Sequence, residues 1–237
     1  MTETDNLVVE QPVGTRAPDV PVYAYQAKTR TERVLILGRT RAGQMLCVGG
    51  MTDTLANIRL KRDENPPHWY VEACPFHVGD VFTVTCSDSP DHDSPHHRED
   101  VRTHVWQYEK TLNSDRVVAA IERTGRVRKG PEPWLAFRKD NNSGVFFTLT
   151  EKGSWVIPKS QLARAPWSVA FWRPTVDLSF REKYFWGKSR TREYRIPYVG
   201  TDRPEQVLPA GTLVRLSTSA YFKPVNGAAL QLSGWFL

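Results

Sequence analysis

Two apolar runs joined by a short Gly-containing turn, RVLILGRTRAGQMLCVGG at residues 33–50, restrict this chain to folds that open with an antiparallel strand pair. Residues 34–37 are continuously apolar, which predicts a strand buried on both faces. Gly43 supplies the positive φ that the turn needs. Residues 45–48 return antiparallel, and Gly49-Gly50 ends or kinks that strand. No helix follows residues 38–43, so this glycine-containing turn is not a phosphate cradle, and a βαβ start is excluded.

The same period continues. Residues 57–60 predict a third strand, and Pro66-Pro67 breaks regular structure after it. Residues 69–72 add a short strand. Phe82, Val84 and Cys86 alternate with Thr83 and Thr85, as in a half-buried strand. Then the spacing changes. Val101, Val105, Tyr108 and Leu112 are separated by four, three and four, which predicts one helical face. Asn113-Ser114-Asp115 offers a cap for a second short helix over 117–123, stopped by Gly125. The basic run 123–129, RTGRVRK, reads as a solvated linker, and Gly130-Pro131-Glu132-Pro133 marks a boundary. Beyond it strands resume at 134–138, 145–149, 154–157, 169–173, 176–180, 194–199, 213–217 and 229–236. Asn141-Asn142-Ser143-Gly144 turns between the first two, and a helical turn falls at 160–165. The expected architecture is mainly β. Residues 1–24 form a Pro-containing polar leader, 25–130 a first β domain with a helical segment at 100–124, and 131–237 a second β domain.

Composition agrees with a β protein: 8 Trp, 8 Tyr and 10 Phe stand against 3 Met in 237 residues. Three cysteines, Cys47, Cys74 and Cys86, follow no disulfide framework, which points to a reducing, cytoplasmic setting. No apolar run is long enough for a membrane span. The net charge of +6 permits a polyanionic partner, and its distribution is uneven. Residues 151–200 hold ten Lys/Arg and four Asp/Glu, an excess of six that equals the excess of the whole chain.

The order of short motifs resembles the dual OB-containing domain (DuOB) family of bacterial conflict and antiviral defence systems. That family has an N-terminal strand pair, an Ile-Arg strand, a strand with an lLD(x)V pattern and a P-x-x-H-Q-x-E-(N/D) loop. The corresponding residues here are 34–37, Arg41, Gly43, 47–49, Ile58-Arg59, 79–84 and 95–100. Asn57 stands where the family has Trp, and the Gln after His is absent. The resemblance covers most of the chain after about Tyr25, through short motifs. It implies two small antiparallel OB-like β-barrels with a short helical insert. It also implies a ligand groove at Arg41, Arg59, His97, Glu99 and Asp100, or else that His97, Glu99 and Asp100 hold their loop against the barrel.

Two constellations could carry function. Asp91, His92, Asp93, His96, His97, Glu99 and Asp100, with His104 beyond, have the donor density of a metal or acid–base site, although their spacing matches no metal motif. Cys74-x-x-His77 with Cys86 and His92 lacks the second tight ligand pair of a zinc ribbon. The bland alternative is a solvated loop whose Asp93 or Ser94 caps a helix beginning near Asp100. The second constellation interleaves aromatic and basic residues: Trp172, Arg173, Arg181, Lys183, Tyr184, Trp186, Lys188, Arg190, Arg192 and Arg195, with Trp167, Phe171, Phe180, Phe185 and Tyr194 among them. Aromatic faces that stack on bases, with cations that follow phosphates, bind single strands. The bland alternative buries several of these rings in the core and leaves the charges as a soluble hairpin tip.

Neither a nucleophile elbow, a P-loop, a dinucleotide fingerprint nor a zinc-protease motif occurs in the sequence. The balance therefore favours a non-enzymatic module with no cofactor or resident metal, binding single-stranded or structured nucleic acid, with a partner from the same operon possible. A metal-dependent nuclease or phosphodiesterase using residues 91–104 is one alternative. A sensor of nucleotides or partner proteins is the other.

Overall fold

A computed structural model of the protein describes residues 28–89, 99–137, 146–165 and 167–237. The expected leader and the expected 141–144 turn lie outside them. Among the described residues the chain is mainly β.

The first half is a ring of strands. β1 (Thr29–Ala42) is long and curved: its first part pairs antiparallel with β5 (Asp80–Asp88) and its second with β2 (Met45–Thr52). β2 pairs with β3 (Asn57–Arg62) and with the short β4 (Trp69–Tyr70). β6 (Asp100–Thr111) closes the circuit, antiparallel to β5 and parallel to β3. Walking round the ring gives β1-β2-β3-β6-β5-β1. Val34, Ile36, Leu46, Val48, Leu60, Phe76, Val84 and Cys86 fill it. The Gly43 turn is as expected, with φ +64°. Gly49-Gly50 does not end β2, which runs on to Thr52.

Residues 101–112 correct the expectation of a helix. Residues 101–111 belong to β6: β5 pairs along them and β3 pairs with the start of the strand, residues 100–103, and their β-branched and aromatic side chains suit a pleat. Two register shifts against β5 blur the alternation that would have announced a strand. The only α-helix among the described residues is α1 (Ser114–Glu122). Of the three capping candidates, Asn113 caps it by accepting from the Arg116 amide.

In the second half, β7 (Val127–Gly130), β10 (Val169–Pro174), β15 (Leu213–Thr218), β16 (Gly227–Phe236), β9 (Trp155–Pro158) and β8 (Thr148–Leu149) make one sheet in that order. A second sheet runs β13 (Glu193–Pro197), β12 (Tyr184–Lys188), β11 (Leu178–Arg181), β14 (Val207–Leu208). The bridge Tyr198↔Leu232 brings the end of β13 parallel to β16. The run 123–129 is not simply a linker: β7 pairs parallel with β10. Residues 134–138 correct a second expectation. Pro133–Phe137 is a 3₁₀ turn, consistent with a proline that fixes a helical φ at its start.

The two halves share a core. Leu35, Leu37, Met51 and Val81 of the ring and Val117, Ala120 and Ile121 of α1 pack with Phe171, Leu213 and Phe236 of the second half. Beside that apolar contact the Arg41 amide donates to the Val199 carbonyl at 2.9 Å, and Thr40 bridges to Gly200.

Candidate functional site: an aromatic–cationic sheet face and a polar seam

Strand alternation sorts the aromatic–basic stretch into two faces. On β12 and β13, Phe185, Gly187, Tyr194 and Ile196 point inward and are buried, while Tyr184, Trp186 and Arg195 are half-buried on the other face. The register places Trp186 opposite Arg195 and Ser179, and Tyr184 opposite Arg181. The Arg195 guanidinium carbon lies 4.3 Å from the Tyr184 ring centroid and 5.8 Å from that of Trp186. Lys183 Nζ is 5.7 Å from the Tyr184 ring. Such contacts contribute about 0.5–1 kcal/mol each at exposed sites and favour this placement of the guanidinium. Gly187 is needed here, since any Cβ would meet the ring of Tyr194. Arg181, Lys183 and Lys188 are exposed around this face, and Arg190 and Arg192 are exposed in the turn that Ser189 closes onto the Arg192 carbonyl.

Trp172 and Arg173 do not belong to that face. Trp172 is fully buried, with its indole N–H donating to the Gly130 carbonyl at 3.0 Å, so its ring packs in the second core. Arg173 points to α1, where Nη2 bonds Glu122 Oε1 at 2.6 Å. Phe171 and Phe185 are also core.

Arg59, Glu99 and Asp100 of the implied groove come together in a polar seam between the halves. Arg59 sits opposite Asp100 in the parallel β3–β6 pair, and its Nη1 lies 3.1 Å from Asp100 Oδ1. Lys61 Nζ is 2.6 Å from Asp100 Oδ2, and Asp100 is fully buried. Arg59 Nη2 donates to the Ser168 hydroxyl at 2.9 Å and lies 3.8 Å from Glu99 Oε2. Glu99 accepts from the Ser168 amide at 3.0 Å and from its hydroxyl. Residues of β3 and the start of β6 thus clamp the segment before β10. Arg41 is exposed at the edge of the seam, with Nε donating to the Gly43 carbonyl. His97 and positions 91–96 lie outside the described residues.

Arg215 is the member of the seam that sequence reading missed. It is 6 % exposed and donates from Nη1 to the Ser233 hydroxyl at 2.8 Å. Burial pushes its guanidinium down to about 10, with Glu99 partly opposing and Arg59 adding to the fall. A signal was present: Arg215 interrupts the apolar run Leu213-Val214-Arg215-Leu216, where a charge has no reason to sit unless something receives it.

His104 lies on β6, not on a helix. Its Nδ1 is 2.7 Å from Asp63 Oδ2 and its Nε2 is 2.9 Å from Ser87 Oγ. Carboxylate, imidazole and hydroxyl thus stand in the order of an acyl-transfer triad. Ser87 is 3 % exposed near the end of β5, paired to Thr29 and Arg102 on its two sides, so no substrate carbonyl reaches Oγ. The trio fastens β5 and β6 to the segment after β3. Cys74 and Cys86 are buried thiols whose pKa burial pushes up, the pattern of inert core cysteines. Among the described residues no group of His, Cys, Asp and Glu could hold a metal ion, and no helix is long and apolar enough to cross a membrane.

No protein-family model matches the chain, and no curated protein matches it either.

Proposed function

We propose that the protein is a non-enzymatic nucleic-acid-binding module of a bacterial defence or conflict system, built of two OB-type units. The ring β1-β2-β3-β6-β5 supports the first unit, with its parallel pair between the third and fifth strands. The second half repeats the circuit if β10 and β11 count as one strand broken at Pro174. β11 pairs β12, β12 pairs β13, β13 approaches β16 in parallel, β16 pairs β15 and β15 returns to β10. In OB folds the face of strands 2 and 3 binds oligonucleotides. In the second unit those strands are β12 and β13.

The observation that carries the reading is therefore the position of Tyr184, Trp186 and Arg195, a stacked aromatic–guanidinium cluster on that face with Arg181, Lys183 and Lys188 around it. Rings accept bases and cations follow phosphates without reading sequence. The motif order shared with the DuOB family supplies the defence context. The test is a titration of the full chain with labelled single-stranded DNA and RNA at two salt concentrations. Salt-sensitive binding that Trp186→Ala and Arg195→Ala weaken is the expected result. No binding to either polymer at low salt overturns the reading.

A further inference from the structure

We propose that the cavity in the seam between the two halves is a binding site for a phosphomonoester group, received by Arg41, Arg59 and Arg215. The cavity has a volume of about 300 Å³. Its floor is the outward side of β2 and β3, with Gly49, Arg59 and Lys61, and its other wall is β15 and β16, with Arg215, Ser217 and Gln231. This is the strand 2–3 side of the first ring, roofed by the second half. It is separate from the β12–β13 face and does not depend on what that face binds.

Charge decides the ligand class. Among the described residues the cavity wall has four cations, Arg41, Arg59, Lys61 and Arg215, and no carboxylate. Glu99 and Asp100 stand behind it and engage Arg59 and Lys61. Among the described residues, four cations against two carboxylates leave two positive charges. A phosphomonoester supplies about −1.5 to −2 at neutral pH and three acceptor oxygens. Guanidinium groups bind such oxygens in pairs, and the seam offers three.

Arg215 makes the need specific. Burying a cation is costly without a counter-charge, and among the described residues no carboxylate lies within ion-pair distance of it. Burial pulls its proton affinity down to about 10, so at neutral pH it is still charged and poised for an anion. Gly38 and Gly49 leave the space in which it sits.

The test is calorimetric titration of the full chain with AMP and with adenosine at constant ionic strength. AMP binds at one site and adenosine does not. Arg41→Gln, at the exposed rim, keeps the fold and weakens AMP about tenfold, the effect of one lost charged hydrogen bond. Tyr184→Ala leaves AMP affinity unchanged. Absence of AMP binding, equal affinity for adenosine, or an AMP affinity indifferent to Arg41→Gln each overturns the proposal. The source of the phosphate is read with 5′-phosphorylated and 5′-hydroxyl oligonucleotides on the Tyr184→Ala variant. Tighter binding of the phosphorylated strand assigns a strand end, and equal binding assigns a free nucleotide.

Discussion

Arg215 of β15 lies against Gly38 of β1, and a Cβ at residue 38 would stand 2.8 Å from its Nη1. Gly49, the cross-strand partner of Gly38, is closer still to the same guanidinium. The two glycines are a slot cut in the first ring for a cation from the second half. Filling the slot overpacks a site whose occupant is almost fully buried. Gly38→Ala and Gly49→Ala should each cost about 1–3 kcal/mol. Urea unfolding measures this, and a loss within the scatter of surface substitutions would mean that Arg215 can move aside.

Asp100 is the second pivot of the seam. It is fully buried between Arg59 and Lys61. Removing one partner of a buried ionic cluster leaves the others uncompensated, so Asp100→Asn should destabilise by about 3–5 kcal/mol. Lys61→Met in the same chain should recover part of that loss, because one uncompensated cation is gone. A double variant no more stable than Asp100→Asn would remove the pair from the account.

Much of this fold is written in alternation. Phe82, Val84 and Cys86 announce β5 and are buried as that pattern requires. β6 was not legible, because from Val105 onward its side chains are exposed on both sides and apolar residues fall at helical spacing by accident of two bulges. The cations of residues 181–195 were legible as a cluster, but composition could not say which ring faces inward. Tyr184 and Trp186 stay outside, while Trp172 is swallowed by a strand buried on both faces. Arg59 was brought to notice by motif order alone, and Glu99 and Asp100 by motif order and by the donor density of residues 91–104. Their meaning depends on Arg215 and Ser168, more than 60 residues away, and only the packing of one half on the other joins them.

Two phenols tie stability to alkaline pH. Tyr194 donates to the Pro131 carbonyl at 2.8 Å and Tyr198 to the Asp202 carbonyl at 2.9 Å. Burial, aided by Glu132 and Asp202 respectively, raises both above the ordinary value of 10.0. Above pH 10 the unfolded chain releases these protons and the folded chain keeps them. Stability is therefore whole below that pH and falls as pH rises beyond it. Tyr194→Phe should flatten the fall. An absorbance titration in which all tyrosines of the folded protein ionise at the ordinary value would contradict the account.

Trp172 and Trp186 are both tryptophans of the basic stretch, and their substitutions should part company. Trp172 is sealed in the second core, so Trp172→Ala costs stability, about 3–5 kcal/mol, whatever the protein binds. Trp186 is half-buried on the β12–β13 face beside Arg195. Trp186→Ala leaves unfolding close to that of the parent and weakens single-strand binding by about 1–3 kcal/mol, the worth of one stacked base. Arg195→Ala should remove one phosphate contact and lower the slope of log affinity against log salt by about 0.7. The decisive reading is the ratio between effects. If Trp186→Ala loses stability as Trp172→Ala does, and binding only in proportion, the face is structural. If binding falls while the unfolding curve stays in place, Trp186 meets the strand directly.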